Sequence, residues 1–158
     1  MPNDLITQDP IVAQNFYLEI DGVSIVLSSV GGLDLEFDVV TISQAGPGGM
    51  RQQVKTRGNT LKVSDLSVAR MAPWDATSDP IWQWFGAIRD KGFVVNKRED
   101  NRKNGSVVLY DSSMSEIGRY NFFNGWVSKI STDQVSADSN EPVKENITVV
   151  IERLERVK

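Results

Sequence analysis

The chain has 158 residues, 40% of them apolar and 24% charged, with a net charge of −4. That length suits one domain spanning 1–158 with a core that needs neither metal nor disulfide, and the balance is globular rather than disordered. Cysteine and histidine are both absent, which excludes disulfides, thiolate or histidine zinc sites, and Cys-His or Ser-His-Asp catalysis.

Residues 1–14 read as a polar lead-in. Asp4 and Asp9 stand where a signal peptide would carry basic residues, and no apolar core follows them. No run of the chain approaches the length of a membrane span, so synthesis in the cytoplasm without a membrane anchor is expected. Phe16, Leu18 and Ile20 alternate with Tyr17 and Glu19, the period of a strand. Asp21-Gly22 then predicts a tight hairpin into a run from Val23 to Val30, which Gly31-Gly32 ends.

Leu33 to Val40 has the sharpest pattern. Leu33, Leu35, Phe37 and Val39 share one face; Asp34, Glu36 and Asp38 share the other. This predicts a half-buried strand with an acidic, wet side. Gln44 to Gly49, containing Gly46, Gly48 and Gly49, is a flexible loop by composition. Two further strands are expected at Met50–Arg57 and Leu61–Met71, joined by a turn at Gly58-Asn59. Arg51 and Lys55 fall on the first of them, which is too weakly apolar to stand without something to lie against.

The period changes at Ile81, Trp84, Phe85 and Ile88, which fall at i, i+3, i+4 and i+7 and form the core face of a helix. Asp79 suits the N-cap, Pro80 the first turn and Gly92 the stop, giving a helix over Pro80–Lys91. Trp82 lies at the margin of that face, where a half-exposed tryptophan suits a subunit interface. Asn96 to Gly105 is a charged loop. Its basic cluster of Lys97, Arg98, Arg102 and Lys103 is interrupted by Glu99 and Asp100, which argues against specific nucleic-acid binding. Strands return at Ser106–Tyr110, Ile117–Phe123, Gly125–Ser131 and Asn146–Leu154. Residues Thr132 to Glu141 form a loop with room for a short strand at Gln134–Ala137. The sum is seven to nine short strands and one helix, the spacing of a β-sandwich or β-barrel.

The candidate chemistry is thin. Asp34, Glu36 and Asp38 could be hard-metal ligands or a carboxylate pair, but a period-2 row of acids is usually the wet face of a strand; lining a polar channel between copies is a third reading. Asp111, Ser112, Ser113, Ser115 and Glu116 lack the spacing and central glycine of a calcium loop and suit a hairpin turn. Gly46, Gly48 and Gly49 lack the Lys-Ser/Thr of a phosphate cradle. Trp74, Trp82, Trp84 and Trp126 could stack bases or sugars. No catalytic set or cofactor site survives, and the under-apolar strands need partners to cover their edges.

Taken in order, several segments resemble the tail-tube proteins of contractile phage tails and contractile injection systems. They are Asn15 to Gly22, Val30 to Leu33 with the acidic strand, Asp79 to Phe85, Ser106 to Asp111, Tyr120 to Trp126 and Glu145 to Glu155. Leu66-Ser67-Val68-Ala69-Arg70 and the turn Asp111–Glu116 depart from the family's usual pattern. The resemblance implies a mainly β tail-tube fold, two packed antiparallel sheets forming a β-barrel or sandwich with one helix, and no cofactor. It further implies hexameric rings whose hairpins join into one inner barrel, stacked into a tube within a sheath. Baseplate and tape-measure proteins would be partners, with DNA or protein cargo in the lumen, in a virion tail or injection particle. Asp34, Glu36, Asp38, Arg51 and Lys55 become lumen or inter-ring candidates; Trp82, Gly46, Gly48 and Gly49 become subunit-interface candidates. Three alternatives remain: a secreted type VI ring protein, a small barrel binding a ligand through Trp82 and Trp126, and an enzyme with paired carboxylates.

Overall fold

The computed structural model describes residues 13–91, 102–138 and 140–158, apart from the side chains at 59–61 and 91. The expected stop at Gly92, most of the charged loop from Asn96, and most of the polar lead-in lie outside these residues. The strands are β1 (Asn15–Ile20), β2 (Val23–Leu27), β3 (Ser29–Gly31), β4 (Leu35–Ala45), β5 (Arg51–Val63), β6 (Leu66–Met71), β7 (Lys103–Tyr110), β8 (Glu116–Thr132), β9 (Lys144–Val150) and β10 (Arg153–Arg156). The helix α1 (Pro80–Lys91) follows β6. All pairings are antiparallel: eight strands in the order β2-β1-β7-β8-β9-β6-β3 with β10 on β8, and a separate two-stranded ribbon of β4 and β5.

The eight-stranded sheet folds over its own apolar face. The first half of β8 pairs with β7 and β10, and its second half with β9. Between them Asn124 takes a left-handed conformation (φ 54°). Leu18, Ile20, Ile25, Leu27, Val107 and Phe122 from one half thus meet Leu66, Val68, Val127, Ile147 and Val149 from the other in one core. Ser28 carries the chain between the halves: its N–H donates to the Ala69 carbonyl at 2.7 Å, after which β3 pairs with β6. Among the described residues no ladder joins β2 to β3, so the barrel anticipated from the strand count is not closed.

The helix begins as its residues dictate. Asp79 Oδ2 accepts the Trp82 N–H at 3.1 Å, an N-cap bond to a donor that otherwise lacks an intrahelical partner. Ile81 and Trp84 are buried and Phe85 and Ile88 half-buried against the core, each full burial worth about 1.5–3 kcal/mol. The hairpin from β1 to β2 turns on Asp21 (φ 51°) and Gly22 (φ 77°), the paired positive angles of the expected tight turn.

Six sequence expectations need correction. The Val23–Val30 run is two strands, because Ser28 switches half-sheets. Gly58-Asn59 is no turn; β5 runs through it, and the chain turns at Ser64 and Asp65 instead. Ile117–Phe123 and Gly125–Ser131 are one bent strand, whereas Asn146–Leu154 is two, since Ile151 and Glu152 separate β9 from β10. Gln134–Ala137 forms no strand. Finally, Leu33 packs partly against the core, but the rest of Leu33–Val40 is not half-buried as expected: Leu35 and Phe37 are each 50% exposed and Val39 65%, because nothing among the described residues covers that face of the ribbon.

Candidate assembly surface

The ribbon is the most unusual part of the molecule. Its register runs from Leu35↔Val63 to Ala45↔Arg51, with an irregularity between Phe37 and Val39. There β5 carries extra residues around Gly58. Glycine is required because a Cβ at 58 would lie 2.7 Å from the Asp38 Cβ. At the tip, Pro47–Gly49 makes one tight turn in which Gly48 and Gly49 both take φ near 79°, a conformation that favours glycine.

Strand alternation divides the ribbon into two faces of opposite design. On one, Leu35, Phe37 and Val39 lie toward the root, with Arg51, Lys55 and Arg57 toward the tip; the Arg57 guanidinium stands 5.2 Å over the Phe37 ring. On the other, Glu36 and Asp38 lie toward the root, with Val40, Ile42 and Val54 toward the tip. Asp38 pairs with Lys62 at 2.7 Å. That hydrogen bond, then the charges of Asp38 and Glu36, raise the Lys62 pKa. The pair is open to solvent and adds little to stability. Among the described residues, nothing covers the exposed aliphatic side chains on both faces or pairs with the outer edge of either strand.

The sequence-derived candidates thus separate. Glu36 and Asp38 share a face with Lys62, Asp34 lies in the linker before β4, and Arg51 and Lys55 share the opposite face near the tip. Gly46, Gly48 and Gly49 form the tip itself. Trp82 is on α1, outside the ribbon. It is half-buried, with its indole N–H donating to Glu145 Oε1 at 3.2 Å and its ring edge-on to Phe85. Trp126 is packed against the core and Trp84 is buried within it, so neither offers a stacking platform; Trp74 is fully exposed.

One cluster escaped sequence reasoning. Arg70, on β6, forks onto Asp79 through Nη1–Oδ1 (2.7 Å) and Nη2–Oδ2 (2.6 Å), and reaches Glu145 Oε2 on β9 through Nη2 (3.1 Å) and Nε (3.3 Å). The three residues are only 4%, 8% and 5% exposed respectively. Burial alone would raise the Asp79 pKa, but the bonds from Arg70 and the Trp82 N–H outweigh it and hold the carboxyl below its usual range. Burial likewise opposes the Arg70 charge, and the two carboxylates overcome it. No spacing rule links residues so far apart in sequence. The cluster is a structural lock joining β6, the start of α1 and β9.

Little else has chemical potential. The Asp111 carboxylate accepts the Ser113 and Ser115 N–H groups at 2.9 Å each, closing the turn before β8 as a hydrogen-bonded loop. A cleft of about 310 Å³ between α1 and the β1–β2 turn is lined by Ile20, Val23, Trp84 and the Lys103–Asp21 ion pair. Among the described residues no cluster of three acids could hold a metal ion, and no helix is long and apolar enough to cross a membrane.

The family model of the T4-like virus tail tube protein gp19 matches residues 12–155. The chain belongs to this tail tube family. Its role is that of a structural tube subunit and not of an enzyme. No curated protein matches it. Solved structures do. A chain of the PVC sheath–tube complex of an extracellular contractile injection system is 19% identical with TM-score 0.72, covering 99% of this chain and 97% of that one. A chain of the PVC sheath/tube terminator is 19% identical with TM-score 0.74, over 96% and 99%. Hcp1 from Flavobacterium johnsoniae is 14% identical with TM-score 0.55, over 91% and 95%. At such identities the likeness is one of fold, and it places this tail tube protein among tube-like and Hcp-like β folds.

Proposed function

We propose that this tail tube protein acts as a single domain over residues 1–158 whose copies close into hexameric rings, with the rings stacking into a hollow tube. The ribbon of β4 and β5 carries this reading. Among the described residues it leaves aliphatic side chains exposed on both faces and two strand edges unpaired, and joining neighbouring ribbons into a continuous inter-subunit barrel would cover both. Asp34, Glu36 and Asp38 then face the lumen or the ring above, with Arg51 and Lys55 in the same contacts. The tip at Gly46, Gly48 and Gly49, and Trp82, lie at subunit contacts. Solved structures of similar fold come from a sheath–tube complex, a tube terminator and a baseplate, which supports a surrounding sheath, a baseplate at one end and a place in a virion tail or injection particle. A tape-measure protein and DNA or protein cargo would occupy the lumen, and the subunit would be made in the bacterial cytoplasm.

Negative-stain microscopy of the purified protein tests the proposal. Rings or hollow tubes are expected; a strict monomer at high concentration refutes it. The likeness to Hcp1 favours a second reading, a type VI ring protein that is secreted. Its TM-score is lower than those of the injection-system chains, so the tube of a contractile particle is the preferred reading.

A further inference from the structure

We infer that the basic tip of one subunit's ribbon docks on an acidic, apolar surface at the opposite end of a second copy, so that rings stack head to tail. The inference rests on the tube reading above and adds the receiving surface and its chemistry. From Val39 to Arg57 the ribbon carries Arg51, Lys55 and Arg57 and no acid. It leaves the body where Gly31 and Leu66 end their strands, beside Val149. At the other end of the same half-sheet, where Met71 pairs with Lys144, the segments 71–79 and 132–143 come together through the Ala72 N–H and the Val143 carbonyl, 2.9 Å apart.

That far end is the ribbon's complement. Segments 71–79 and 132–143 hold Asp75, Asp79, Asp133, Asp138 and Glu141 and no cation; Arg70 and Lys144 border them, and Arg70 is buried against Asp79 and Glu145. Asp79 is buried against Arg70; Asp75, Asp133, Asp138 and Glu141 are exposed. Met71, Trp74, Val135 and Val143 are exposed among them, as Met50, Ile42 and Val54 are near the tip. Desolvated apolar area and opposite charge therefore coincide on both partners, whereas tip-to-tip and far-end-to-far-end contacts would set like charges together. Along β6 the two surfaces are separated by the length of the strand: the ribbon's root lies at the Leu66 end and the acidic surface at the Met71 end, about 20 Å away. Such a contact joins two different surfaces and propagates without closing on itself. The root of the ribbon is also acidic through Asp34 and Asp65, and is the competing receiver.

The test uses charge reversal in the full chain. R51E/K55E at the tip and D138K/E141K at the far end should each leave rings intact by sedimentation while slowing tube elongation about tenfold or more at low salt. A variant carrying all four changes should recover elongation, because both partners have exchanged sign. Elongation at the wild-type rate in either double variant, no recovery in the fourfold one, or recovery when D34K/D65K replaces the far-end pair, would each overturn the inference. Should the tip variant lose its fold, wild-type protein decides: about 1 M salt, where the screening length is about 3 Å, should slow elongation, and an unchanged rate overturns it. Wild-type protein that forms neither rings nor tubes would instead remove the tube reading itself.

Discussion

Replacing Arg70 with alanine gives the most informative stability measurement. The substitution removes four hydrogen bonds and strands two carboxylates, Asp79 and Glu145, in a setting where neither is more than 8% exposed. Removing one partner of a buried ion cluster costs about 3–5 kcal/mol, chiefly because the remaining charge stays desolvated. For a chain of this size each kcal/mol lowers Tm by about 2–4 °C, so a fall of about 6–20 °C is expected. Urea unfolding followed by circular dichroism should show the same loss with an unchanged m-value. Asp79→Ala and Asp79→Asn separate the two duties of that residue. Asparagine still caps the Trp82 N–H, so alanine should cost about 1 kcal/mol more than asparagine. A melting temperature for Arg70→Ala within about 2 °C of wild type would refute the claim that this cluster locks β6, β9 and the start of α1 together.

Other predictions concern the ribbon, the core and pH. Phe37→Ser or Ile42→Ser should change monomer stability by about 0.5 kcal/mol or less, since both side chains are exposed, yet abolish rings or tubes in negative stain; normal assembly would count against the ribbon as the contact. Deleting Gly46–Gly49 should impair stacking while leaving the thermal melt in place, and loss of the folded monomer would contradict it. Gly105→Ala should be destabilising by about 1–3 kcal/mol, because its Cβ would lie 2.5 Å from the Phe122 ring and 2.6 Å from the Glu19 carbonyl. Because the Asp79 carboxyl is held below its usual range, its contribution is complete above the unfolded value of about 3.9 and is lost as pH falls through the lower folded value. The acid limb of the stability curve should flatten in Asp79→Asn, and an unaltered limb would assign the acid transition to other carboxylates.

Local signals were the legible ones. The helix was fixed by its own face and cap, since Asp79, Pro80, Ile81 and Trp84 act within a few residues of one another. The β1–β2 hairpin followed from Asp21-Gly22 for the same reason. Breaks inside long strands were not legible. Gly58 looks like a turn residue but is glycine because β4 passes against it, and Asn124 looks like a loop residue but sits at the bend of a continuous strand. The Leu35, Phe37 and Val39 stripe was read correctly as apolar and wrongly as buried in the chain; alternation reveals a face that needs cover, not which molecule supplies it. The Arg70 cluster was invisible because its members lie 9 and 75 positions apart. The sequence groups the acids with Arg51 and Lys55 as one set of candidates, whereas the register puts Glu36 and Asp38 on the face opposite Arg51 and Lys55.

The ribbon also bears on how growth proceeds. Two strands without a third layer are marginal in water, so amide hydrogens of β4 and β5 should exchange fast in the free subunit and slowly once it has joined a neighbour. Each arriving copy then completes its own ordering at the growing end, on a template that is already formed. The cost of fixing those backbones falls most heavily on the first ring, which has no template. Spontaneous starts are therefore rare beside elongation, and an existing end, rather than free concentration alone, decides where and when a new assembly begins.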